Sequence, residues 1–425
     1  MLRTGEKVSV TLPFLSPVLQ EASERGFLYQ GTDLARLDAR LVEGPITLYL
    51  GVDATAESLH VGHLVPIMLL RLFQRHGHRP LALVGGGTSK IGDPSFRNTT
   101  RPMLSEEELA RNIQGIHLSY APYIRFGTRD HDGKLVDNAD WLDRLEYIPF
   151  LREIGRHFPM GRLLSLDSVK QKLENNLPFS FLEFNYPLLQ AYDFLELLRH
   201  ENCVLQIGGS DQWGNIVSGV EFIRRMTQTE VFAITTPLLE TASGAKMGKT
   251  AQGAVWLRPE FCSPFDFWQY WRNVDDRDVG RFLRLFTDLP LEEIAVLEKA
   301  EDINATKKIL ADSVTALTHG QEVIPQIHQA VQALFYGSAE GGDQIPTFLV
   351  PRNWLGTNTV VDLLAESGLC SSRGEARRLI RGGGAYLNDT SISSEEEVLT
   401  AAQFPKGRAK VASGKKHFLY ACLQE

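Results

Sequence analysis

Two short motifs, far apart in the sequence, carry side chains that can bind a polyphosphate. One is HVGH at residues 60–63, and the other is KMGKT at residues 246–250. The histidines stand where a loop meets an apolar periodic stretch, and the unpaired N–H groups at a helix N-terminus stabilise phosphate groups. The two lysines can close over a triphosphate and neutralise charge as pyrophosphate leaves. Each motif also has an ordinary explanation, helix capping for the histidines and a solvated surface turn for the lysines.

Three polar side chains are spaced so that they share one face of a predicted helix. Tyr186, Gln190 and Asp193 stand at i, i+4 and i+7, and Pro187 fits the first turn of such a helix. This face can be exposed to solvent, or it can line a pocket. A buried carboxylate is costly unless it is paired, so a pocket at this face implies a ligand with a hydroxyl and an ammonium group.

Recurring strand–loop–helix units would position these residues. Residues 46–52 form a β-branched and aromatic run that leads through a polar loop into the helical pattern 64–75. Two more apolar runs, 81–84 and 204–207, lead into glycine-rich loops. These units predict a parallel, doubly wound α/β sheet, with ligands beyond the carboxyl ends of its strands, where the three loops gather.

The chain is long enough for two or three domains. Residues 1–262 are predicted to form the catalytic domain, with a closing lysine loop at 243–251. Helical spacing and aromatic residues predict an α-helical domain at 263–337. Glycine and proline without periodicity predict a linker at 338–357, and the compact tail 358–425 follows.

Composition restricts the possible functions. The net charge of −8 disfavours nucleic-acid binding by the chain as a whole, but nine Lys/Arg against eight Asp/Glu give residues 358–425 a charge of +1 and leave −9 for the rest. The four cysteines are far apart and show no metal-binding spacing, so we expect neither structural zinc nor disulfides. The N-terminal segment has no signal-peptide core and no apolar run is long enough to span a membrane, so we expect a cytoplasmic protein.

Together the histidine and lysine motifs resemble the paired HIGH and KMSKS signatures of the class I aminoacyl-tRNA synthetases. Four further stretches narrow the resemblance to the bacterial-type tyrosyl-tRNA synthetases and extend it over nearly the whole chain. They are YLGVDATAESLH at 49–60, IGDPS at 91–95, YPLLQAYD at 186–193 and LQIGGSDQWGN at 205–215. The resemblance implies a Rossmann-like catalytic domain, an α-helical domain on the anticodon side and a small α+β RNA-binding domain.

The resemblance also implies roles for individual residues. Those implied for tyrosine are Tyr49 and Asp193 at the phenol, Asp93, Tyr186 and Gln190 at the ammonium group, and Gln206 and Gln212 completing the pocket. Those implied for ATP are Gly51, Asp53, Thr55, Gly62, Gly209, Asp211 and Lys249. Those implied for catalysis are His60, His63, Lys246, Lys249 and Thr250, while Arg97 and Arg101 are candidates for a supplementary basic clamp.

The tail contains a basic helix pattern. Ser372 would cap a helix on which Arg373, Arg377 and Arg381 share one face, and Lys415 and Lys416 follow later. Such a helix is often only a solvated surface. The arrangement resembles the small RNA-binding module that tyrosyl-tRNA synthetases share with a ribosomal small-subunit protein and some pseudouridine synthases, which implies contact with an RNA backbone.

The expected reaction has two steps. The tyrosine carboxylate attacks the α-phosphate of ATP and releases pyrophosphate, and a ribose hydroxyl at the 3′ end of tRNA(Tyr) then attacks the tyrosyl-adenylate. ATP is expected to act as a substrate with Mg²⁺, with no tightly bound metal or organic cofactor. The family resemblance further implies a homodimer.

Some positions depart from the family pattern, and other functions remain open. Leu50 stands where a cysteine is common, and Ala54 where proline is usual. The nearest alternative is a tryptophanyl-tRNA synthetase, which shares both signatures, but Tyr49, Asp193 and the tail argue against it. A small-molecule nucleotidyltransferase would not need the tail. An RNA-binding protein on a synthetase scaffold, such as a splicing cofactor, would not need the lysine loop.

Overall fold

The computed structural model of the chain describes residues 13–93, 104–241, 247, 249–250, 253–336, 347–414 and 417–424. These divide into two compact units. The first comprises Met1–Gly248, Val255–Cys262 and Tyr270–Gly320, and the second comprises Lys249–Ala254, Ser263–Gln269 and Gln321–Glu425.

The strands of the described residues form three sheets. The strands are β1 (Gln30–Gly31), β2 (Thr47–Asp53), β3 (Arg79–Gly85), β4 (Lys134–Asp137), β5 (Cys203–Gly209), β6 (Phe232–Thr236), β7 (Lys249–Thr250), β8 (Gly253–Ala254), β9 (Thr347–Val350), β10 (Ala385–Leu387), β11 (Thr390–Ser391), β12 (Arg408–Ser413) and β13 (His417–Leu423).

The described α-helices range from one turn to seventeen residues. They are α1 (Pro17–Arg25), α2 (Leu34–Glu43), α3 (Leu64–Arg75), α4 (Glu106–Tyr120), α5 (Ala139–Leu142), α6 (Tyr147–Glu153), α7 (Met160–Leu164), α8 (Asp167–Glu174), α9 (Phe181–Phe184), α10 (Tyr186–Glu201), α11 (Trp213–Thr227), α12 (Pro264–Arg272), α13 (Val279–Phe286), α14 (Leu291–Leu297), α15 (Ile303–His319), α16 (Val323–Tyr336), α17 (Val360–Glu366) and α18 (Arg373–Arg381).

A six-stranded sheet forms the centre of the first unit. Its order is β1-β6-β5-β2-β3-β4, and every neighbouring pair is parallel except β1 with β6. The chain therefore adds strands on one side of β2 and then returns to the other side with β5. This reversal between β2 and β5 is the switch point at which doubly wound sheets bind ligands. The prediction of a parallel, doubly wound α/β sheet is confirmed.

The helices that flank the switch point begin where their sequence patterns predict. α3 spans Leu64–Arg75, the predicted range, and buries its apolar side against β2, β3, β5 and β6. α10 begins at Tyr186, with Pro187 in the first turn, where its missing N–H has no helical partner to lose. It ends before Asn202, whose φ of 52° is left-handed.

The second unit contains a five-stranded sheet of order β11-β10-β12-β13-β9. Helices α17 and α18 share its apolar core, which includes Val350, Leu364, Ile380 and Leu419. The edge strand β9 pairs in parallel with β13, although it lies in the range that composition assigned to the linker. The strand occupies only four residues between Pro346 and Pro351, which is too short for an apolar period to show in the sequence.

Candidate active site

The carboxyl ends of β2 and β5 open into a cavity at the switch point. The cavity encloses about 430 Å³, part of it open to solvent. Six of the seven residues predicted for tyrosine line it: Tyr49, Tyr186, Gln190, Asp193, Gln206 and Gln212. Gly51 and Asp53 line it as well. Residues separated by more than 150 positions in the chain thus meet around one space.

Asp193, in the wall of this cavity, is a buried carboxylate held by two donors. Its Oδ2 accepts from Asn138 Nδ2 at 2.9 Å, and its Oδ1 accepts from Trp141 Nε1 at 2.8 Å. Burial raises the pKa of the Asp193 carboxyl to about 7, against the two hydrogen bonds, which lower it. The neighbouring carboxylates Asp53 and Asp137 raise it further. This pKa leaves Asp193 able to accept or release a proton near neutral pH.

The Tyr49 hydroxyl and Gln190 Oε1 in the cavity wall are buried without a hydrogen-bond partner among the described residues. The Tyr49 ring is fully buried against Phe194, with their centroids 5.3 Å apart. Burial and the charge of Asp193 raise the pKa of the Tyr49 phenol well above its usual value, so the hydroxyl keeps its proton. Leaving a buried polar atom without a hydrogen-bond partner is costly. A bound ligand that supplies the missing partners would explain these two atoms.

A hydrogen-bonded chain joins the cavity to the end of β2. The Tyr186 hydroxyl donates to Asp53 Oδ1 at 3.1 Å, and Thr88 Oγ1 donates to the same atom at 2.9 Å. Asn138 Nδ2 donates in turn to Thr88 Oγ1 at 3.0 Å, and so links Asp53 to Asp193. Burial and the carboxylates Asp53 and Asp93 raise the pKa of the Tyr186 phenol, which therefore acts as a donor.

Gln212, in the loop after β5, forms hydrogen bonds with two further carboxylates. Its Nε2 donates to Asp93 Oδ2 at 2.9 Å and to Asp211 Oδ2 at 3.1 Å. Asp93 thereby lies next to the cavity although it belongs to a different loop. A Cβ at Gly209 would lie 2.4 Å from Asp211 Oδ1, so a larger residue there would displace the Asp211 carboxylate.

The two histidines lie at the start of α3, as predicted. His60 caps a short turn, Val61–His63, that leads directly into the helix. The Gly62 N–H donates to His60 Nδ1 at 3.0 Å, so Nδ1 is an acceptor and the neutral ring carries its proton on Nε2. The His63 Nδ1 atom lies 3.2 Å from the His60 nitrogen, and burial lowers the pKa of His63 to about 4. His63 is therefore neutral at physiological pH.

Gly62 lies between the two histidines, where a side chain would collide with the His60 ring. A Cβ at Gly62 would lie 2.7 Å from His60 Cε1, so the glycine makes room for the His60 ring. The ring of Trp256 approaches His60 from another side, with a centroid distance of 5.9 Å.

Several predicted residues cannot be compared with the structure. Arg97, Arg101, Lys246, Lys415 and Lys416 lie outside the described residues. Lys249 and Thr250 form β7, which pairs with β8, but their side chains are not described. Thr55 lies in the polar loop after β2 and lines a groove with Glu57, Arg111 and Trp256.

Sequence reasoning missed the residues that orient Asp193 and Asp53. Thr88, Asn138 and Trp141 all follow the carboxyl ends of β3 or β4. The one available signal was the position of Thr88 directly after three glycines, in a loop already predicted to face the ligand. Asn138 and Trp141 contact Asp193 across more than fifty residues, so no local spacing indicates them.

In the second unit, the predicted arginine face is present on α18. Ser372 caps the helix by accepting from the Glu375 N–H at 3.2 Å. Arg373 pairs with Asp362, whereas Arg377 and Arg381 both pair with Glu395. More than half of each arginine side chain remains exposed, and exposed ion pairs contribute little, so a phosphate can replace the carboxylates.

The described residues contain no group of three or more histidine, cysteine, aspartate or glutamate side chains that could hold a metal ion. None of the helices in this part of the chain is long and apolar enough to cross a membrane.

Comparison with family models gives two matches. Residues 41–336 match the model of tRNA synthetases class I (W and Y), and residues 360–401 match that of the S4 domain. The first match covers most of the chain, including every cavity residue named above.

Individual relatives extend the match to nearly the full length. A tyrosine–tRNA ligase of Xanthobacter autotrophicus is 51% identical over 410 residues, which is 96% of this chain and 98% of the relative. One from Novosphingobium aromaticivorans is 52% identical over 406 residues, covering 95% and 97%. The C-terminally truncated mitochondrial tyrosyl-tRNA synthetase of Coccidioides posadasii superposes with a TM-score of 0.65 at 31% identity, covering 73% of this chain and 91% of that one.

Proposed function

We propose a residue-level mechanism from one premise, that this chain belongs to the class I tRNA synthetases and within them to the bacterial-type tyrosine–tRNA ligases. As a tyrosine–tRNA ligase it joins tyrosine to tRNA at the expense of ATP. The proposal concerns which residues bind each substrate, how the tail contributes, and how the chain assembles.

Asp193 and Tyr49 select the phenol of tyrosine. The observation that carries this assignment is that a buried carboxylate and a buried hydroxyl without a partner line the same cavity. The substrate hydroxyl donates to the ionised Asp193 and accepts from Tyr49. Phenylalanine would leave the Tyr49 hydroxyl without a partner and would bring no donor to the buried Asp193 carboxylate, which is costly in a buried site. Tyrosyl-tRNA synthetases are themselves the reference case for this effect, with a discrimination of about 10⁵ without editing, a family value and not one calculated from this structure.

Gln190, Asp93 and Tyr186 hold the ammonium group. Gln190 Oε1 is a buried acceptor without a described partner, and an ammonium group has three donors to offer. The Gln212 amide fixes Asp93, and Gln206 on β5 is buried and lines the same cavity. This arrangement would place the tyrosine carboxylate toward the ends of the strands, where ATP binds.

ATP binds at the carboxyl ends of β2 and β5 and along the loops that follow them, at Gly51, Asp53, Thr55, Gly62, Gly209 and Asp211. His60 presents its Nε2–H because the Gly62 N–H occupies Nδ1, and both histidines lie at the start of α3, where phosphate is favoured. Lys246, Lys249 and Thr250 close over the phosphates. Mg²⁺ enters with ATP as part of the substrate and neutralises phosphate charge.

No strong general base is required for the first step. The tyrosine carboxylate is already ionised when it attacks the α-phosphate, so the enzyme positions the reactants and stabilises charge that develops on phosphate oxygens. Neutral histidines and cationic lysines suffice for this. In the second step, a terminal ribose hydroxyl of tRNA(Tyr) attacks the carbonyl carbon of the adenylate, so an ester bond to tRNA forms, the acyl–phosphate bond breaks and AMP leaves.

The tail supplies contacts to the tRNA backbone through Arg373, Arg377, Arg381, Lys415 and Lys416. The residues between 360 and 401 match an S4 domain, and the three arginines share one exposed helix face. Each exchanges a carboxylate partner for a phosphate on binding. Such a cytoplasmic translation enzyme requires no membrane contact.

The chain acts as a homodimer through an apolar surface in the crossover between β4 and β5. Tyr147, Ile148, Met160 and Phe181 are between 59% and 68% exposed there, and Leu182 is 47% exposed. Several large apolar side chains exposed within one segment favour association. Phe181→Asp should therefore yield monomers in sedimentation velocity, whereas Val296→Asp, at a 70% exposed position on α14, should leave the dimer intact. Dimers of both variants would refute this surface.

Amino-acid-dependent ATP–pyrophosphate exchange tests the substrate assignment directly. Each of the twenty amino acids is supplied in turn to the parent chain and to Asp193→Asn. We expect exchange with tyrosine alone for the parent, and loss of preference over phenylalanine for the variant. Exchange driven by tryptophan, or an unchanged preference in Asp193→Asn, would contradict the assignment of the phenol pocket.

A further inference from the structure

Ala54 lies at the centre of a tight turn between two residues of the proposed ATP site. The Thr55 N–H donates to the Asp53 carbonyl oxygen at 3.0 Å, and the φ angle of Ala54 is negative. A hydrogen bond from residue i+2 to residue i with negative φ defines an inverse γ-turn, whose central φ is about −75°. The shape of this turn sets the directions of Asp53 and Thr55.

Side chains from two other parts of the fold hold both polar backbone groups of Ala54. The Ala54 N–H donates to Ser89 Oγ at 2.7 Å, and Asn112 Nδ2 donates to the Ala54 carbonyl oxygen at 2.8 Å. Ala54 is fully buried, and Ser89 and Asn112 are each 6% exposed. Because water cannot replace either partner at this depth, each side chain satisfies a backbone group that would otherwise be orphaned.

A proline would hold the same turn by different means. Its ring locks φ near about −65°, it has no N–H to satisfy, and it favours an extended residue before it. Asp53 is the last residue of β2 and is already extended. Alanine does not fix φ and has a buried N–H that needs an acceptor. The Ser89 hydroxyl accepts from this N–H, and the same hydrogen bond restrains the backbone of Ala54.

We propose that Ser89 is a positioning residue for ATP, and that with Asn112 it supplies at Ala54 the restraint that a proline ring would otherwise provide. The proposal rests on the proposed ATP role of Asp53 and Thr55 and concerns only how they are held. Ser89 shares the short turn Thr88–Lys90 with Thr88, whose hydroxyl donates to Asp53 Oδ1 at 2.9 Å. One turn thus fixes the Asp53 side chain and the peptide that follows it.

Positions 54 and 89 should consequently show reciprocal effects. Ser89→Gly leaves the Ala54 N–H without an acceptor. Ala54→Pro puts a ring carbon where that N–H points, against a Ser89 Oγ that lies only 2.7 Å from the nitrogen. The double variant removes the unsatisfied donor and the colliding oxygen together, so two harmful changes should compensate each other.

The test measures tyrosyl-adenylate formation against ATP concentration at saturating tyrosine, together with the Kd for tyrosine. Each single variant should lower kcat/KM for ATP about tenfold, while the tyrosine Kd changes less than about twofold. The double variant should return to within about threefold of the parent. Ser89→Thr keeps the hydroxyl and should behave like the parent.

Thr55→Ala separates failure of this proposal from failure of the proposed ATP site. Unchanged ATP kinetics in Thr55→Ala would refute the site. A clear defect in Thr55→Ala, together with a double variant no better than the poorer single variant, would overturn the role of Ser89. ATP kinetics of Ser89→Gly equal to those of the parent, or a double variant that no longer binds tyrosine, would overturn it as well.

Discussion

Trp141→Phe should move the pH dependence of tyrosine use toward higher pH. The substitution keeps an aromatic ring but removes the N–H that donates to Asp193 Oδ1 at 2.8 Å. A hydrogen bond to a charged group contributes about 1.5–3 kcal/mol, which corresponds to about one to two pKa units. Loss of a donor to the ionised form raises the pKa, so the Asp193 carboxyl should move upward from about 7.

The consequence is a defect that depends on pH. Only the ionised carboxylate accepts the substrate phenol, so kcat/KM for tyrosine falls as pH decreases through the pKa of Asp193. With an upward shift of about 1.5 units, the ionised fraction at about pH 7.5 falls from about three quarters to about a tenth. We therefore expect kcat/KM in ATP–pyrophosphate exchange to drop about eightfold at that pH and to recover at higher pH.

A tryptophan in the second unit provides a matched control for this pH profile. Trp354→Phe makes the same change in the second unit and should leave the profile of the parent unchanged. A Trp141→Phe profile with the same midpoint as the parent, or a loss that is equal at every pH, would refute the link between this hydrogen bond and the ionisation of Asp193.

Other perturbations test separate parts of the molecule. Asp193→Asn should raise the free energy of unfolding by up to about 4 kcal/mol at about pH 8 and have little effect below about pH 4. The pKa of Asp193 is about 7 in the folded protein and 3.8 in a free side chain, so the cost of ionising the buried carboxyl grows between these two pH values. Chemical denaturation at both pH values measures this difference. Alanine at His60 or His63 should slow adenylate formation far more than it weakens tyrosine binding, and stopped-flow kinetics showing only a binding defect would contradict this. Leu50→Cys should modestly improve ATP use, by about 1 kcal/mol at most, but should lower Tm because Leu50 is only 3% exposed; a large loss of activity would show that its packing is essential. Removal of residues 358–425 should preserve pyrophosphate exchange and abolish transfer to tRNA, and equal aminoacylation by both forms would exclude the tail from tRNA recognition.

Much of the fold could be predicted because its signals are local. The apolar run that predicted β2 and the helical period that predicted α3 agree with the observed elements within a residue or two. The same period placed Tyr186, Gln190 and Asp193 on one face of α10, and all three line the cavity. Strand β9 was not predicted, because four residues between two prolines are too few to show an apolar period. Its partner β13 lies about seventy residues away in the sequence.

The details of the site depend on contacts that no spacing reveals. Asn138 is buried and connects Thr88 with Asp193, yet it follows a strand of only four residues and contacts partners at least fifty positions away. The arginine face of the tail was predictable from its period. Its pairing with Glu395 was not, because that residue lies outside the helix.

The strand order also has a consequence for synthesis of the chain. β2 ends at residue 53, but its neighbour β5 begins only at residue 203, so one edge of β2 has no partner while the intervening segment leaves the ribosome. The tyrosine pocket cannot exist before that pairing, and pairing across such a distance is slow. While the apolar strand β2 has an unpaired edge, it is prone to pair with other chains. Chaperone dependence should therefore be greatest for nascent chains that end between β4 and β5.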